Sequence, residues 1–525
     1  MFLKILLLVV FFGIMIAVGL YCRRHATDVS GFVLGGRSVG PWLTAFAYGT
    51  SYFSAVIFVG YAGQFGWKYG LASTWIGLGN AFIGSLLAWA VLGRRTRIMT
   101  QHLHSSTMPE FFGCRFKSPS LKVGASIITF LFLIPYTASL YNGLSRLFEM
   151  AFGMDYTICI IIMAILTGIY VIAGGYMATA INDFIQGIIM LIGIIAVIIA
   201  VIASKGGFTA SLAGLAQVSD ESVSAIPGAF NSFFGPDPLN LLGVVILTSL
   251  GTWGLPQMVQ KFYAIKSEDA VKKGTVISTI FAIVVAGGCY FLGGFGRLFS
   301  DAIELSPNGI PVGGYDAIIP TMLSYLPDIL IAVVVILVLS ASMSTLSSLV
   351  LASSSTITID LLKGSLIKNM DEKKQVFIMR IFVVVFIVIS AGIAIFQYQS
   401  SHSATSSNSA TFIAQLMGVS WGALAGAFLA PFLYGLYWKK TSGAACWVSF
   451  IFGSVVMVLN MLFRPSFPAI LQSPINCGAF CMLAGLIIVP LVSLFTPKPE
   501  KAMVEEAFSC YDLKVQVSQK RSLID

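Results

Sequence analysis

Apolar runs long enough to cross a bilayer follow one another along almost the whole chain. A hydrocarbon core about 30 Å thick needs roughly 20 apolar residues per helix, and thirteen stretches meet that need. They lie near 2–22 (α1), 41–66 (α2), 70–93 (α3), 122–150 (α4), 157–176 (α5), 181–204 (α6), 239–263 (α7), 274–297 (α8), 328–360 (α9), 376–397 (α10), 411–438 (α11), 442–463 (α12) and 475–496 (α13). The first stretch is not a signal peptide: its apolar core is too long, no small-residue cleavage site follows, and Arg23-Arg24 form a stop-transfer flank. The two longest connections, about 205–238 and 298–327, are rich in Gly, Pro and Ser and are expected to be surface loops. The pattern predicts an all-α polytopic membrane protein.

Composition agrees, since only 10% of the 525 residues are charged and 57% are hydrophobic, whereas soluble domains carry about 25% charge. The net charge of +9 does not point to nucleic acid, because the basic residues sit between apolar runs and not in patches. Placing the N-terminus outside puts 25 of the 31 Lys and Arg residues in the connections or tail on the cytoplasmic side, as the positive-inside rule requires. An odd number of spans then leaves the C-terminus in the cytoplasm. That count includes Lys261.

Chemistry is sparse. The eight cysteines are scattered with no C-x-x-C, and Cys477 and Cys481, four apart, are expected to be small buried side chains. No nucleotide cradle is present, and His102 and His104 lie in a basic loop. The sequence therefore predicts no enzyme activity, no cofactor, no metal other than Na+ as coupling ion, and no obligate protein partner. A secondary transporter or a channel remains. A transporter-like sensor is disfavoured by the short tail after Phe495, which carries no recognisable docking module.

Solute and ion sites in inverted-repeat carriers form where paired helices unwind near the midplane. Two interruptions match: Gly49-Thr50-Ser51-Tyr52 in α2, and Gly251-Thr252-Trp253-Gly254-Leu255-Pro256 in α7. Pro256 removes a backbone donor in mid-span. On α9, residues 341, 344, 345 and 348 share a face, so the hydroxyls of Ser344 and Thr345 and the carbonyl of Ala341 could meet carbonyls freed at Thr50 and Phe53. Five neutral oxygens suit a hard cation. Interhelical hydrogen bonding, worth about 0.6 kcal/mol per bond, is the alternative use of such hydroxyls.

Several segments resemble the sodium/solute symporter family, whose members carry proline, pantothenate, sialic acid and sugars. They are Leu34-Gly35-Gly36-Arg37-Ser38-Val39-Gly40-Pro41, Arg146-Leu147-Phe148-Glu149, Gly174-Gly175, Gly254-Leu255-Pro256-Gln257 and Met343-Ser344-Thr345-Leu346-Ser347. The resemblance implies a leucine-transporter-type fold with two inverted five-helix repeats, α2–α6 within 41–204 and α7–α11 within 205–438. Residues 1–40 would hold an extra helix and loop, 439–496 two additional helices, and 497–525 a cytoplasmic tail. It also implies that sodium is held by Thr50, Phe53, Ala341, Ser344 and Thr345, the same positions reached from spacing. A possible second sodium would use Asp183, Ser347 and Ser348. Asp183 is alternatively an N-cap of α6, since Asn182-Asp183 would open that helix.

Candidate solute-binding residues are Tyr52, Ser54, Tyr136, Thr252, Trp253, Pro256, Gln257 and Gln415. Where proline carriers of the family have an aspartate in the α2 break, this chain has Tyr52, and where they have Trp and Tyr in α7 it has Thr248 and Thr252. The α3 glutamate of sugar carriers is missing, so an amino acid, a monocarboxylate or a sialic-acid-like anion is expected to be imported with sodium by alternating access. Proton coupling through Asp183 is the nearest alternative.

Overall fold

A computed structural model describes residues 2–220, 223–224, 226–305, 311, 314–367, 370–403 and 412–512, and among them every regular element is a helix. Ten helices are long and apolar enough to cross a membrane, and the bent pair Pro238–Gly254 and Pro256–Ala264, which is α7, makes an eleventh. Two of the ten are long because they run through a left-handed glycine. Tyr156–Ser204 turns at Gly175 (φ 53°), where α5 ends and α6 begins. Val56–His102 turns at Gly70 (φ 59°), between the second half of α2 and α3. Dividing both at these glycines separates the stretches that the hydrophobic pattern had separated.

Gly175 allows a sharp reversal in two ways. Its φ favours glycine, and a Cβ there would lie 2.8 Å from the carbonyl oxygen of Phe32. Because α6 therefore starts at about Tyr176, Asp183 sits two turns inside it, and the expectation that Asp183 caps this helix is corrected.

Two helices are broken in the same way. The first half of α2, Pro41–Tyr52, ends at Phe53 (φ −88°, ψ 121°), and the first half of α7 ends at Leu255 (φ −86°, ψ 121°). At Leu255 the extended conformation is what the following proline imposes. At Phe53 no proline follows, and the break is supported from outside, with the Ala55 N–H donating to Ser342 Oγ of α9 at 3.2 Å. Both first halves are pinned to α3 through one acceptor: the Gly84 carbonyl accepts from Tyr48 Oη at 2.7 Å and from Thr252 Oγ1 at 3.0 Å. Gly84 lies in a π-helical stretch, Asn80–Leu87, whose wider turn turns carbonyls outward to other partners.

The two long connections contain short helices. Phe208–Gln217 lies in the first long connection and Ile318–Ser324 in the second. Segments that the charge count grouped on one side do contact one another. Arg37 donates to the carbonyls of Tyr263 (3.2 Å), Thr100 (3.4 Å) and Ser105 (2.5 Å), and Arg97 donates to Ile265 and Lys266. The short tail helix Lys501–Ser509 buries Val504 and Phe508 against the same end, with Phe508 under the Arg115 guanidinium. Of the other group, Arg297 pairs with Asp220 at 2.7 Å and Lys68 lies over the Tyr315 ring.

Small residues set the helix spacing, as in other membrane bundles. A Cβ on Gly66 would fall 2.0 Å from the Gly293 carbonyl oxygen, and one on Gly293 would fall 2.2 Å from the Ala62 carbonyl. Backbone cannot yield as a side chain can. Gly66→Ala is expected to lower stability by about 1–3 kcal/mol through this overpacking, which a thermal melt of the detergent-solubilised protein would register against wild type.

Candidate functional site

The break in α2 faces α9 across a buried contact. Thr345 Oγ1 lies 3.1 Å from the Ala341 carbonyl, 3.2 Å from that of Thr50 and 3.3 Å from that of Phe53. One hydroxyl has one proton to give, so two of these three carbonyls receive nothing from it. Beside them Ser344 Oγ donates to Thr50 Oγ1 at 2.7 Å, and Thr50 Oγ1 itself donates to the Phe46 carbonyl. All five residues are buried. The structure thus gathers four of the five oxygens picked out from the spacing, the three carbonyls around Thr345 Oγ1, while the Ser344 hydroxyl adjoins them through the Thr50 side chain.

The sequence pattern located the carbonyls by the rule that a helix end leaves its last carbonyls without intrahelical partners. Gly49 O keeps Phe53 N–H at 3.4 Å, while Thr50 O and Phe53 O turn to Thr345.

A second buried cluster adjoins the first. Asp183 is fully buried, and the Lys261 ammonium stands 3.9 Å from its Oδ2. The same ammonium donates to Ser348 Oγ at 3.0 Å and lies 5.1 Å from the centre of the Tyr176 ring. Ser348 Oγ also meets Ser51 Oγ at 2.8 Å, next to Thr50. Ser347, by contrast, turns its hydroxyl back to the Ser344 carbonyl at 2.8 Å. Lys261 is 2% exposed, so its place in the count of cytoplasmic loop charges is corrected. The loop rule could not distinguish it, but a lysine five residues after a helix-breaking proline, at the depth of a buried aspartate, is a signal for a pair. Asp360 is likewise buried, accepting from Thr107 Oγ1 at 2.6 Å and pairing with Lys122 at 3.3 Å; the sequence reading, which singled out Asp183, passed over it.

The candidate solute residues divide. Tyr52, Ser54 and Tyr136 gather where α2 breaks with their hydroxyls buried; Tyr136 Oη faces Ser54 and the Trp421 indole and Tyr52 Oη faces Asn80, but none of these approaches has full hydrogen-bond geometry. Tyr136 meets Trp421 of α11 edge to face, at 5.8 Å, and the Trp421 indole N–H is also unpartnered. Asn80 and Tyr290, unmentioned by any motif, border Tyr52 and bring further unpartnered polar atoms. Gln257 is buried with its amide unpartnered. Thr252 and Trp253 instead donate to the Gly84 and Ile83 carbonyls of α3, and Gln415 accepts from Arg464 at 3.1 Å. Pro256 lines a very small cavity with Thr107, Gln260 and Ser355. At the end where α2 finishes, a cavity of about 550 Å³ is lined by Gln64, Trp67, Lys68, Asp237, Arg297 and Asn476, among others.

Comparison with known proteins bears on what such a site is for. The model of the "Sodium:solute symporter family" matches residues 32–453. The osmoregulated proline transporter OpuE of Bacillus subtilis is 27% identical over 94% of this chain and 95% of its own length. A sodium/proline symporter of Staphylococcus aureus is 30% identical over 86% of this chain and 85% of its own. In three dimensions the chain superposes on a substrate-bound, outward-open Na+-coupled sialic acid symporter with a TM-score of 0.74 at 16% identity, covering 95% of this chain and 98% of that one. The fold is therefore of the leucine-transporter type.

Proposed function

The chain belongs to the sodium:solute symporter family, a multi-pass membrane carrier that couples solute movement to sodium, and from that premise we propose that it imports a small amino-acid-class solute with sodium seated between α2 and α9. The observation that carries the ion site is the single Thr345 hydroxyl facing three carbonyls. A sodium ion there would be coordinated by the carbonyls of Thr50, Phe53 and Ala341 and the hydroxyls of Ser344 and Thr345, satisfying lone pairs that protons do not reach. Hard cations accept such an all-oxygen set without any carboxylate.

The solute reading rests on the neutral cluster of Tyr52, Ser54, Tyr136 and Trp421 beside the ion site. Hydroxyls and an indole N–H offer donors without net charge, and the broken helices add partial charges at their ends. That combination suits a zwitterion such as proline, which the names of the relatives make the first solute to test. Other amino acids, monocarboxylates and sialic-acid-like anions come next, because Tyr52 and Thr252 depart from the proline carriers' pattern.

The broken helices support an alternating-access reading. Sodium arriving first would tie the unwound α2 to α9 and complete the solute site, after which both leave on the other side. Each charge moved through 100 mV supplies about 2.3 kcal/mol, enough to concentrate a neutral solute tens-fold.

Proteoliposomes loaded by an imposed sodium gradient should accumulate labelled proline or another amino acid, and a matched proton gradient should not replace sodium. Thr345→Ala should raise the sodium concentration for half-maximal uptake at least about tenfold, equivalent to about 1.4 kcal/mol. Thr345→Ser, which keeps the hydroxyl, should stay close to wild type. Equal sodium dependence in all three would remove the assignment.

For orientation, we propose that the N-terminus is outside and the tail helix cytoplasmic, from the distribution of Lys and Arg. Seven of the eight native cysteines are buried and Cys114 is partly so, so an introduced, exposed cysteine can be read above them. In intact cells a membrane-impermeant maleimide should label a cysteine at Ser219 and spare one at Ser120; labelling of Ser120 alone would invert the topology.

A further inference from the structure

The Asp183–Lys261 pair lies near the proposed ion site and reaches, through Ser348, the Ser51 hydroxyl next to Thr50, yet coordination of one sodium by the five oxygens does not require it. Lys261 is on the second half of α7, just past the break at Leu255, and Asp183 is two turns into α6. Between them stands Ser348 of α9, whose hydroxyl accepts from the Lys261 ammonium at 3.0 Å and touches Ser51 Oγ of α2 at 2.8 Å. Three helices therefore meet on one ammonium group, α6 through the carboxylate, α9 through Ser348 and α7 through the lysine's own stem, and α2 joins at one remove through the contact of Ser51 with Ser348.

That is the set of contacts a bound monovalent cation would make. The carboxylate supplies the charge, Ser348 supplies a neutral oxygen, and the Tyr176 ring at 5.1 Å presents its negative face. Asp183 and Ser348 are two of the three residues proposed above to hold a second sodium. We propose that the Lys261 ammonium is a tethered cation that permanently fills this second position, so that the chain binds a single sodium, at Thr345. This rests on the sodium reading of the Thr345 site.

Physical reasoning favours the tether over a second free ion. The pair is buried in a low-dielectric environment, where one carboxylate neutralises one cation, and adding sodium within a few ångströms of the ammonium would place two like charges on a single acid. A lysine held by its own helix also pays no entropy of association with each transport cycle. A purely structural ion pair predicts no change in sodium binding when Lys261 is lost, which separates the two roles.

The test counts sodium on the purified, full-length protein, with 22Na+ as probe and choline chloride as the control salt, and needs no knowledge of the solute. Wild type and Lys261→Arg should bind one ion with a Hill coefficient of about 1. Lys261→Met frees Asp183 and should bind two ions. The double variant Lys261→Met/Asp183→Asn should return to one, and because it removes both charges together it leaves no unpaired buried ion to unfold the protein. Two ions on wild type, or one on a folded Lys261→Met, overturns the inference while leaving the Thr345 site standing. If Lys261→Met does not fold, the wild-type count decides. No sodium on wild type overturns the reading of the Thr345 site and this inference with it.

Discussion

Everything about this molecule depends on how it satisfies backbone carbonyls set free inside a membrane. Water is not there to accept the burden, so an unwound helix is tolerated only where other protein groups or a cavity replace it. In α2 the replacement is partial: the carbonyls freed at Thr50 and Phe53 share one Thr345 proton with the Ala341 carbonyl of α9. A fully satisfied break would be a stable kink and nothing more. This one keeps more carbonyl lone pairs than protons, and that shortage is what the proposed sodium would make good.

The second break is coupled to the first through α3. Tyr48 precedes one break and Thr252 the other, and both hydroxyls end on the Gly84 carbonyl. Moving the first half of α2 gives up the Tyr48 bond in a buried place, where a lost hydrogen bond costs about 1–3 kcal/mol, whereas the Thr252 hydroxyl can turn to the Ser249 carbonyl of its own helix at 2.9 Å. The ion pair of Asp183 and Lys261 adds a further cross-link, between α6 and the second half of α7.

Much of this could be read before any coordinates. Hydrophobic runs gave the helices because membrane burial leaves little freedom in pattern, and the glycines and Pro256 gave the breaks. The carbonyls around Thr345 followed from the break in α2 and the 3.6-residue period on α9. What was illegible was register and partnership. Asn182-Asp183 looked like a helix start because polar residues usually cap, but the chain reverses earlier, at Gly175, where φ of 53° and the nearness of Phe32 admit only a residue without a side chain. Lys261 looked like a loop charge because a count of basic residues has no depth coordinate. Asn80, Tyr290 and Trp421 carry no motif at all, and their unpartnered polar atoms become visible only when three separate helices are placed around Tyr52 and Tyr136.

The guanidinium of Arg37 reaches carbonyls of three segments that lie far apart in sequence, at Thr100, Ser105 and Tyr263. Arginine keeps its proton at any pH a cell encounters, so acidity cannot loosen this clasp and alkalinity cannot either. Opening that end of the molecule means exchanging several donor contacts for water together, since a planar fork withdrawn from one carbonyl is misaligned for the others. Loosening this clasp is consequently governed by hydration, and osmolytes or dehydration bear on it more directly than on the oxygens around Thr345, which are buried from solvent.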